Sequence, residues 1–238
     1  MEATRSSNGD VSRLLTPARR RGIEILDDPG VDPALMRRSM RDVERANNLF
    51  GGKRAAIAEL SGILRSLDST ATMLDVGTGR GDIPIAAKAA AARFGCTLST
   101  IGIDMSETLA RGSGNDRTVR GDAMCLPFDD RSIDIVLASQ LLHHFPNDQL
   151  LTVIREMNRV SRKAVVISDL RRSFIAAAGL WIGSFPLGFH PVSRHDGVVS
   201  VMRGFTPSEL GDIVERATGH RPVIQRRLGF RLTTSWTR

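Results

Sequence analysis

Apolar and polar residues follow two different spacings along the chain from about residue 71 onward. Short apolar runs, each as long as one buried strand, are separated by stretches whose apolar residues recur at helical spacing. Strands are predicted at 72–76, 98–103, 116–120, 133–138 and 163–168, with helices at 81–93, 106–111 and 147–160. This alternation is typical of an α/β fold in which a parallel sheet carries helices on both faces.

The C-terminal segment departs from the alternation. A helix is predicted over 206–218, and residues 221–238 then read as two strands joined tightly around Leu228 and Gly229. Strands this close in sequence pair antiparallel, because a parallel crossover needs about a dozen residues or more. The pattern therefore predicts a seven-stranded, mostly parallel sheet with an antiparallel C-terminal edge.

Three regions are predicted along the chain. Residues 1–30 are polar and rich in arginine, which is typical of a flexible leader. Residues 31–68 form a helical extension, whose first helix begins at the cap Asp32 and ends before Gly51 and Gly52. Residues 69–238 form the main domain, in which about 170–205 is an insertion before the last helix.

Composition limits the possible classes of protein. Hydrophobic residues make up 41% of the chain and charged residues 25%, as in ordinary globular proteins. The two cysteines have no metal-type spacing, so neither a metal site nor a disulfide framework is predicted. We find no signal peptide and no apolar run of the ~20 residues that a transmembrane helix needs. The expected location is the cytoplasm.

The chain carries a formal charge of +7, from 33 basic and 26 acidic residues. Such an excess can favour nucleic acid, but here the arginines are spread along the chain rather than gathered in one patch. A solvated surface is the simpler interpretation. No nucleic-acid partner is therefore expected, and the sequence makes no prediction of oligomeric state.

A glycine-rich turn follows the first predicted strand, in the stretch MLDVGTGRGD. Glycine is needed where the backbone turns sharply or approaches a ligand closely, and the next helix presents free N–H groups. The spacing is G-x-G-x-G. The dinucleotide fingerprint G-x-G-x-x-G would need glycine where Asp82 stands, and no phosphate-binding loop is present.

Four segments together resemble class I methyltransferases that use S-adenosylmethionine (SAM). They are LDVGTGRGD, STIGIDMS, RGDAMCLPFDD and the stretch that ends in LLHHF, and they cover about residues 72–168. The subgroup looks like the small-molecule enzymes related to ubiquinone and menaquinone biosynthesis. The resemblance implies a Rossmann-like fold, SAM as cofactor and S-adenosylhomocysteine (SAH) as product. The cofactor-binding residues that it implies are Asp75, Gly77, Thr78, Gly79, Gly81, Asp82, Asp104, Met105, Asp122, Ala123 and Ser139.

The resemblance gives three carboxylates a role, and each has a structural alternative. Asp75 would orient the amino group of SAM, or be a strand carboxylate held by backbone N–H groups. Asp104 would accept the ribose hydroxyls, or cap a helix in competition with Ser106. Asp122 would meet the adenine together with the N–H of Ala123, or serve as a simple turn residue.

Histidines supply the candidate general bases. His143 and His144 follow the fourth strand, at the end of the sheet where ligands of such folds bind, and we favour His144. His195, beside Asp196, lies in the insertion 170–205, which we interpret as a lid over the substrate. The alternatives are pocket-lining or structural histidines in the first case and a polar loop in the second.

The lid also supplies the predicted acceptor site. Trp181 and Phe185, with Phe189, would form an apolar wall, and Arg194 would contact the acceptor. Such a wall suits an aromatic or polyketide-like molecule, although a plain core helix explains the pattern equally well.

We predict O-methylation of a small phenolic or polyketide-type metabolite, as in secondary metabolism. One rival is a nucleic-acid methyltransferase. Enzymes that methylate base amines typically show Asn/Asp-Pro-Pro-aromatic after the fourth strand, where this chain reads SQLL. A second rival is a non-catalytic partner protein with the same fold. A nicotinamide dehydrogenase is the third, and Asp82 counts against it.

Overall fold

The alternating pattern folds into one mixed sheet. The computed structural model describes residues 16–28, 30–106 and 114–238. Its strands, as far as these residues go, are β1 (Thr70–Val76), β2 (Thr97–Asp104), β3 (Arg117–Arg120), β4 (Ile133–Ser139), β5 (Ser161–Leu170), β6 (Gln225–Arg227) and β7 (Arg231–Thr237). Their order across the sheet is β3-β2-β1-β4-β5-β7-β6.

Strands β1 to β5 pair parallel, while β7 pairs antiparallel with both β5 and β6. The predicted fold class is therefore confirmed. The sheet reverses its winding between β1 and β4, which pair directly although β2 and β3 lie between them in sequence. Ligands of doubly wound folds bind beyond the carboxyl ends of the strands at such a point.

Helices cover the sheet and its carboxyl edge. The described helices are α1 (Pro33–Leu49), α2 (Gly52–Leu64), α3 (Asp82–Ala92), α4 (Asn147–Val160), α5 (Phe174–Ser184), α6 (Pro191–Arg203) and α7 (Pro207–Thr218), with short 3₁₀ turns at Ile25–Asp27 and Leu142–His144. The Asp32 carboxylate accepts a hydrogen bond from Leu35 N, as expected of an N-cap. The helix predicted at 106–111 lies almost entirely outside the described residues.

Two apolar layers lie on opposite faces of the sheet. Leu74 of β1 packs into the layer that holds α4 and α7, and its neighbour Met73 packs into the layer that holds α2 and α3. Successive side chains of a strand point to opposite faces, so a central strand with both faces covered must be apolar throughout. A site can therefore form between the carboxyl edge of the sheet and the helices that lie over it.

The N-terminal segment is held more firmly than its composition suggested. The sequence predicted a flexible leader over residues 1–30, but residues 16–28 make specific contacts. Arg172 Nε donates to Pro17 O (2.7 Å), Arg203 donates twice to Gly22 O (2.8 and 2.6 Å), and Asp196 accepts from the N–H groups of residues 25 and 26 (both 2.9 Å). The partners come from far along the chain, so local composition could not reveal them. Residues 1–15 lie outside the described residues.

Among the described helices, none combines the length and the apolar composition that crossing a bilayer requires.

Candidate active site

A cavity of ≈ 1110 Å³ opens at the carboxyl edge of the sheet. One side is formed by the loops after β1, β2, β3 and β4, and the other by residues 24–50 together with α5 and α6. Pockets for a single small ligand usually measure about 300–1,000 Å³. The cavity therefore lies just above the upper end of this range.

The glycine turn after β1 forms the base of the cavity. Gly77, Gly79 and Gly81 have φ values of 69°, 51° and 70°, a region that residues with a side chain rarely adopt. A Cβ on Gly79 would meet no atom within 4 Å, and Gly79 lines the cavity. The bare backbone of this turn can therefore approach a ligand closely.

Asp75 is buried at the end of β1, with 2% of its surface exposed. Burial raises the pKa of its carboxyl to about 7, the Thr78 hydrogen bond opposes this, and the charges of Asp82 and Asp104 reinforce it. Thr78 Oγ1 donates to its Oδ2 at 2.7 Å, so its partner is a hydroxyl and not a backbone N–H. A buried carboxylate without a cation is unfavourable, and a ligand ammonium group would relieve this.

Asp104 lies at the end of β2 and holds two loops together. Its Oδ2 accepts from Gly79 N (3.0 Å) and its Oδ1 from Ser106 N (2.9 Å). Burial raises the pKa of the carboxyl, while the two N–H groups act to lower it. Each carboxylate oxygen can accept a further hydrogen bond. The bond to Ser106 N also matches the capping alternative, and the two roles are compatible.

All positions predicted to bind the cofactor line the cavity except Gly81 and Asp122. Gly81 instead caps α3 in the left-handed conformation. The Asp122 carboxylate turns back to accept a hydrogen bond from Met124 N (2.8 Å), which is the behaviour of a turn residue. Its neighbours Gly121 and Ala123 line the cavity, so this part of the prediction moves from the side chain to the adjacent backbone.

Two polar atoms at predicted cofactor positions are buried without partners among the described residues. Asp82 Oδ2 and Ser139 Oγ form no hydrogen bond with any described residue, and both residues line the cavity. Lys53 Nζ stands 3.9 Å from Asp82 Oδ2, which is too far for a hydrogen bond. Buried polar atoms are normally satisfied. These two, with the bare glycine turn, fit a polar nucleoside ligand such as SAM.

His143 and Asp169 form a buried pair beside the cavity. His143, 4% exposed, lies in the 3₁₀ turn after β4, and its Nδ1 is 2.7 Å from Asp169 Oδ1. Asp169 also accepts from Leu142 N (2.9 Å) and Leu170 N (2.7 Å). Burial acts to raise the pKa of Asp169, but His143 and the backbone donors outweigh it, so the carboxyl stays ionised. The net shift is downward.

His144 belongs to a different network. Its Nδ1 is 3.1 Å from Asp27 Oδ1, and Arg203 donates to the other Asp27 oxygen at 2.8 Å. Burial acts to lower the pKa of His144, but the Asp27 hydrogen bond and the charges of Glu24 and Asp27 outweigh it and raise the pKa. A raised pKa favours the protonated ring, which cannot accept a proton. His144 is therefore poorly suited to act as a base.

Glu24, His143 and His144 each bring one possible metal-ligating atom within 4.8 Å of the others. The Arg203 guanidinium already lies at this point, 3.1 Å from Glu24 Oε1 and 3.5 Å from His144 Nδ1. A fixed positive charge beside the ligand atoms opposes a cation. The geometry is that of an ion-pair network which ties the N-terminal segment to α6.

The lid residues chosen from the sequence do not line the cavity. The His195 side chain is 51% exposed, and its Nδ1 contacts Asp196 at 2.8 Å. Trp181 and Phe185 pack edge to face outside the cavity, with ring centroids 5.5 Å apart. Arg194 stacks its guanidinium 4.2 Å from the Phe185 ring centre. These four are corrections to the predicted catalytic and acceptor sites.

The physical reason is that α5 is apolar around its whole circumference. Its sequence, FIAAAGLWIGS, offers bulky residues on both faces, so nothing local says which face turns inward. The structure turns Ile175, Gly179 and Leu180 toward the cavity, and Phe189 joins them from the following loop. The cavity therefore has an apolar wall, but this wall is built from other residues than the sequence predicted.

Several residues of the site escaped the sequence analysis: Glu24, Asp27, Asn47, Gln140, Asp169, Arg203 and Arg231. Asp169 offered one signal, since an acid ends the fifth strand at the ligand edge. Gln140 has a φ of 53°, and its side chain donates to Asn47 Oδ1. A non-glycine residue in this conformation marks strain of the kind that clusters at functional sites, and sequence does not reveal it.

Comparison with known proteins agrees with this geometry. Residues 74–167 match the family model described as a methyltransferase domain. A demethylmenaquinone methyltransferase of Geobacillus kaustophilus is 34% identical over 130 residues, covering 51% of this chain and 46% of that protein. One of Staphylococcus aureus is 36% identical over 107 residues, or 42% of each chain. The chain thus matches about half the length of these curated relatives or less.

Solved structures share the fold at low identity. A SAM-dependent methyltransferase from Aquifex aeolicus aligns with a TM-score of 0.58 at 15% identity, covering 87% of this chain and 98% of that one. Magnesium protoporphyrin IX methyltransferase from Synechocystis, solved with bound SAH, aligns at 0.54 and 15% identity, covering 82% and 87%. In its matched domain over residues 74–167, its sheet order and its glycine turn, the chain is similar to the class I SAM-dependent methyltransferases.

Proposed function

We propose that the protein transfers the methyl group of SAM to a hydroxyl oxygen of a small phenolic or polyketide-type molecule. The observation that carries the proposal is the His143–Asp169 pair, which borders the same cavity as the glycine turn. The residues that fit the cofactor and the apolar side chains of α1 and α5 line this one cavity together. His143 lines it as well, and its second ring nitrogen would be available for a proton.

The cofactor half offers complementary groups for each part of SAM. The Asp75 carboxylate would pair with the ammonium group, and the free lone pairs of Asp104 would accept the ribose hydroxyls. Backbone at Gly121 and Ala123 would meet the adenine. Asp82 Oδ2 and Ser139 Oγ would gain the partners that they lack. These assignments rest on position and chemistry in the cavity.

His143 is the proposed general base, with Asp169 as its positioning residue. The Nδ1–H of the neutral imidazole would donate to the Asp169 carboxylate, which leaves Nε2 as the proton acceptor. No described residue forms a hydrogen bond with Nε2. Bound SAM supplies an activated methyl group on a sulfonium, and after transfer the C–S electron pair remains on sulfur as SAH. His143 would take the acceptor's hydroxyl proton.

The acceptor half excludes water with apolar side chains. Its walls are Met36, Met40, Val43, Ile175, Leu180 and Phe189. Alignment of the reacting groups and exclusion of water are the main contributions a protein can make to such a displacement. Methylation of a ring carbon is a second candidate, which the similarity to demethylmenaquinone methyltransferases favours. The same base would serve it, because deprotonating a ring hydroxyl activates the ring carbons as well as the oxygen.

The test is methyl transfer from radiolabelled SAM to a panel of acceptors. The panel contains catechol, hydroquinone, 4-hydroxybenzoate and demethylmenaquinone, with bulk tRNA as the nucleic-acid control. We expect label in at least one ring hydroxyl compound and none in tRNA, and mass spectrometry of the product separates oxygen from carbon methylation. Calorimetry that shows no heat with SAM or SAH would refute the cofactor half of the proposal.

Replacing Asp75 with asparagine should stabilise the unliganded protein and weaken SAM binding. The Asp75 pKa is raised from 3.8 to about 7, so the folded state loses stability as pH rises through that window. Asp75→Asn removes this loss, and its urea midpoint should exceed the wild-type value at pH 7 but not at pH 4.

Wild-type SAM affinity should rise with pH toward 7, whereas the variant should bind about ten- to a hundredfold more weakly at pH 7 and show no such rise. A pH-independent wild-type affinity would contradict the assignment.

A further inference from the structure

Arg231 is a buried arginine whose charge has no partner. It begins β7 opposite Leu170 of β5, is 6% exposed and lines the cavity. Within the described part of the chain its guanidinium makes no ion pair and no hydrogen bond, and its Nε is fully buried without an acceptor. A charge taken out of water without a partner is strongly unfavourable.

The other buried arginines show what a satisfied guanidinium looks like in this protein. Arg172, 4% exposed, donates to Pro17 O (2.7 Å), Gly204 O (2.6 Å) and Glu209 (2.8 Å). Arg203, 9% exposed, binds Gly22 O and two carboxylates. Both tie segments of the fold together. Arg231 ties none, so its burial does not have a structural explanation of this kind.

Arg231 remains a cation at neutral pH despite its surroundings. Burial lowers its pKa to about 10, and the negative charge of Asp169 only partly opposes the shift. The other arginines lining the cavity are engaged elsewhere: Arg80 Nε donates to Glu44 (2.8 Å) and Arg120 Nε to Met105 O (3.2 Å). Arg231 is therefore the cavity arginine that lacks a protein partner among the described residues.

A second positive feature lies beside it. Helix α2 begins at Gly52 without a side-chain cap on its first N–H groups. A Cβ built on Gly52 would be 2.8 Å from Asn47 Oδ1, 3.2 Å from Gln140 Nε2 and 3.3 Å from Arg231 Nε, so the guanidinium lies at this helix start beside the Asn47–Gln140 pair. Uncapped N–H groups and the helix dipole favour a negative group at the same place.

We propose that Arg231 and the start of α2 bind a carboxylate of a ligand held in the cavity. A carboxylate matches the single positive charge and can accept two parallel hydrogen bonds from a guanidinium. Two ligands could bring it: the amino-acid part of SAM, or an acceptor that is itself an aromatic acid. This inference rests on the proposed function, which supplies both ligands. It adds Arg231 to that function as a residue that selects for a ligand carboxylate.

The experiment uses Arg231→Met, which keeps the apolar stem, with Arg231→Lys as the charge-conserving variant. Arg171→Met is the matched control. Arg171 follows Leu170, the residue that pairs with Arg231, and its guanidinium stacks on the Phe230 ring at 4.7 Å, but it does not line the cavity. Calorimetry compares SAH with 5′-methylthioadenosine, which lacks the amino-acid group. A second pair, measured with SAH present, compares 4-hydroxybenzoate with the uncharged 4-hydroxybenzamide.

We expect Arg231→Met to weaken one carboxylate ligand at least tenfold and leave its uncharged counterpart unchanged, with Arg231→Lys in between and Arg171→Met at wild type. A loss confined to SAH assigns the site to the cofactor, and a loss confined to 4-hydroxybenzoate assigns it to the acceptor. Equal binding of all four probes to wild type and Arg231→Met would overturn the proposal.

A ligand-free measurement separates this inference from the proposed function. Removing an unpaired buried charge should raise the Tm of the unliganded protein, whereas removing a structurally paired arginine would lower it. A lower Tm for Arg231→Met would overturn the carboxylate site. Wild-type protein that binds neither SAH nor methylthioadenosine would instead defeat the proposed function, whatever the variant's Tm.

Discussion

Replacing His143 with asparagine is expected to lower kcat by about 10²–10⁴-fold, the usual contribution of a general base. The asparagine amide can still donate to Asp169 from near the Nδ1 position, but nothing then stands where Nε2 accepts a proton. Binding of SAH should be unchanged, because no proposed contact to the cofactor involves this ring. The measurement is initial rate at saturating SAM with the best acceptor of the panel, alongside calorimetry with SAH.

Three further variants make this result specific. His195→Ala is the matched control, since this side chain is half exposed and does not line the cavity, and we expect wild-type rates. Asp169→Asn should lower kcat at unchanged SAH affinity, because the ring loses its orienting carboxylate. Retention of more than a tenth of wild-type kcat by His143→Asn would remove His143 as the base. A larger loss in His144→Ala than in His143→Asn would return that role to His144.

Gly229→Ala is expected to lower the free energy of unfolding by roughly 3 kcal/mol, from overpacking and a left-handed backbone together. Gly229 has a φ of 74°, and a Cβ there would lie 1.7 Å from the backbone oxygen of Phe50. The turn between β6 and β7 and the turn between α1 and α2 therefore meet backbone to backbone. Urea denaturation measures the loss.

Gly219→Ala separates the two contributions to this loss. Gly219 has nearly the same φ, 73°, but a Cβ there would meet no atom within 4 Å. Gly219→Ala should lower the free energy of unfolding by only about 1 kcal/mol, because only the conformational cost applies. Equal losses in the two variants would mean that the close approach to Phe50 does not hold. Because the same contact places the start of α2 beside Arg231, Gly229→Ala should also weaken any carboxylate bound there.

Local sequence was enough to predict much of the fold and many of the residues that line one side of the cavity. Strands and helices followed from apolar spacing, because a helix or strand needs one face or both faces buried wherever it lies. Asp32 caps α1 as expected, since a cap is a contact between residues three apart, and Thr206 caps α7 in the same way. The glycine turn and Asp104 were found for the same reason: each closes a strand at the edge where ligands bind.

The catalytic and acceptor halves depended on contacts between distant residues. Asp169 contacts His143, 26 positions away in sequence, and Asp196 accepts from the N–H of Ile25, 171 positions away. The local sequence around each residue does not indicate either partner. The sequence could not show which face of α5 turns toward the cavity, because that helix is apolar around its whole circumference.

The sequence by itself determined the order of the elements, the sheet class and the glycine turn proposed to hold the cofactor, since these follow from spacing along the chain. Tertiary structure alone decided which histidine is paired with a buried acid, which apolar residues line the cavity, and that Arg231 is buried without a partner among the described residues. Those properties belong to side chains that meet only when distant segments pack together.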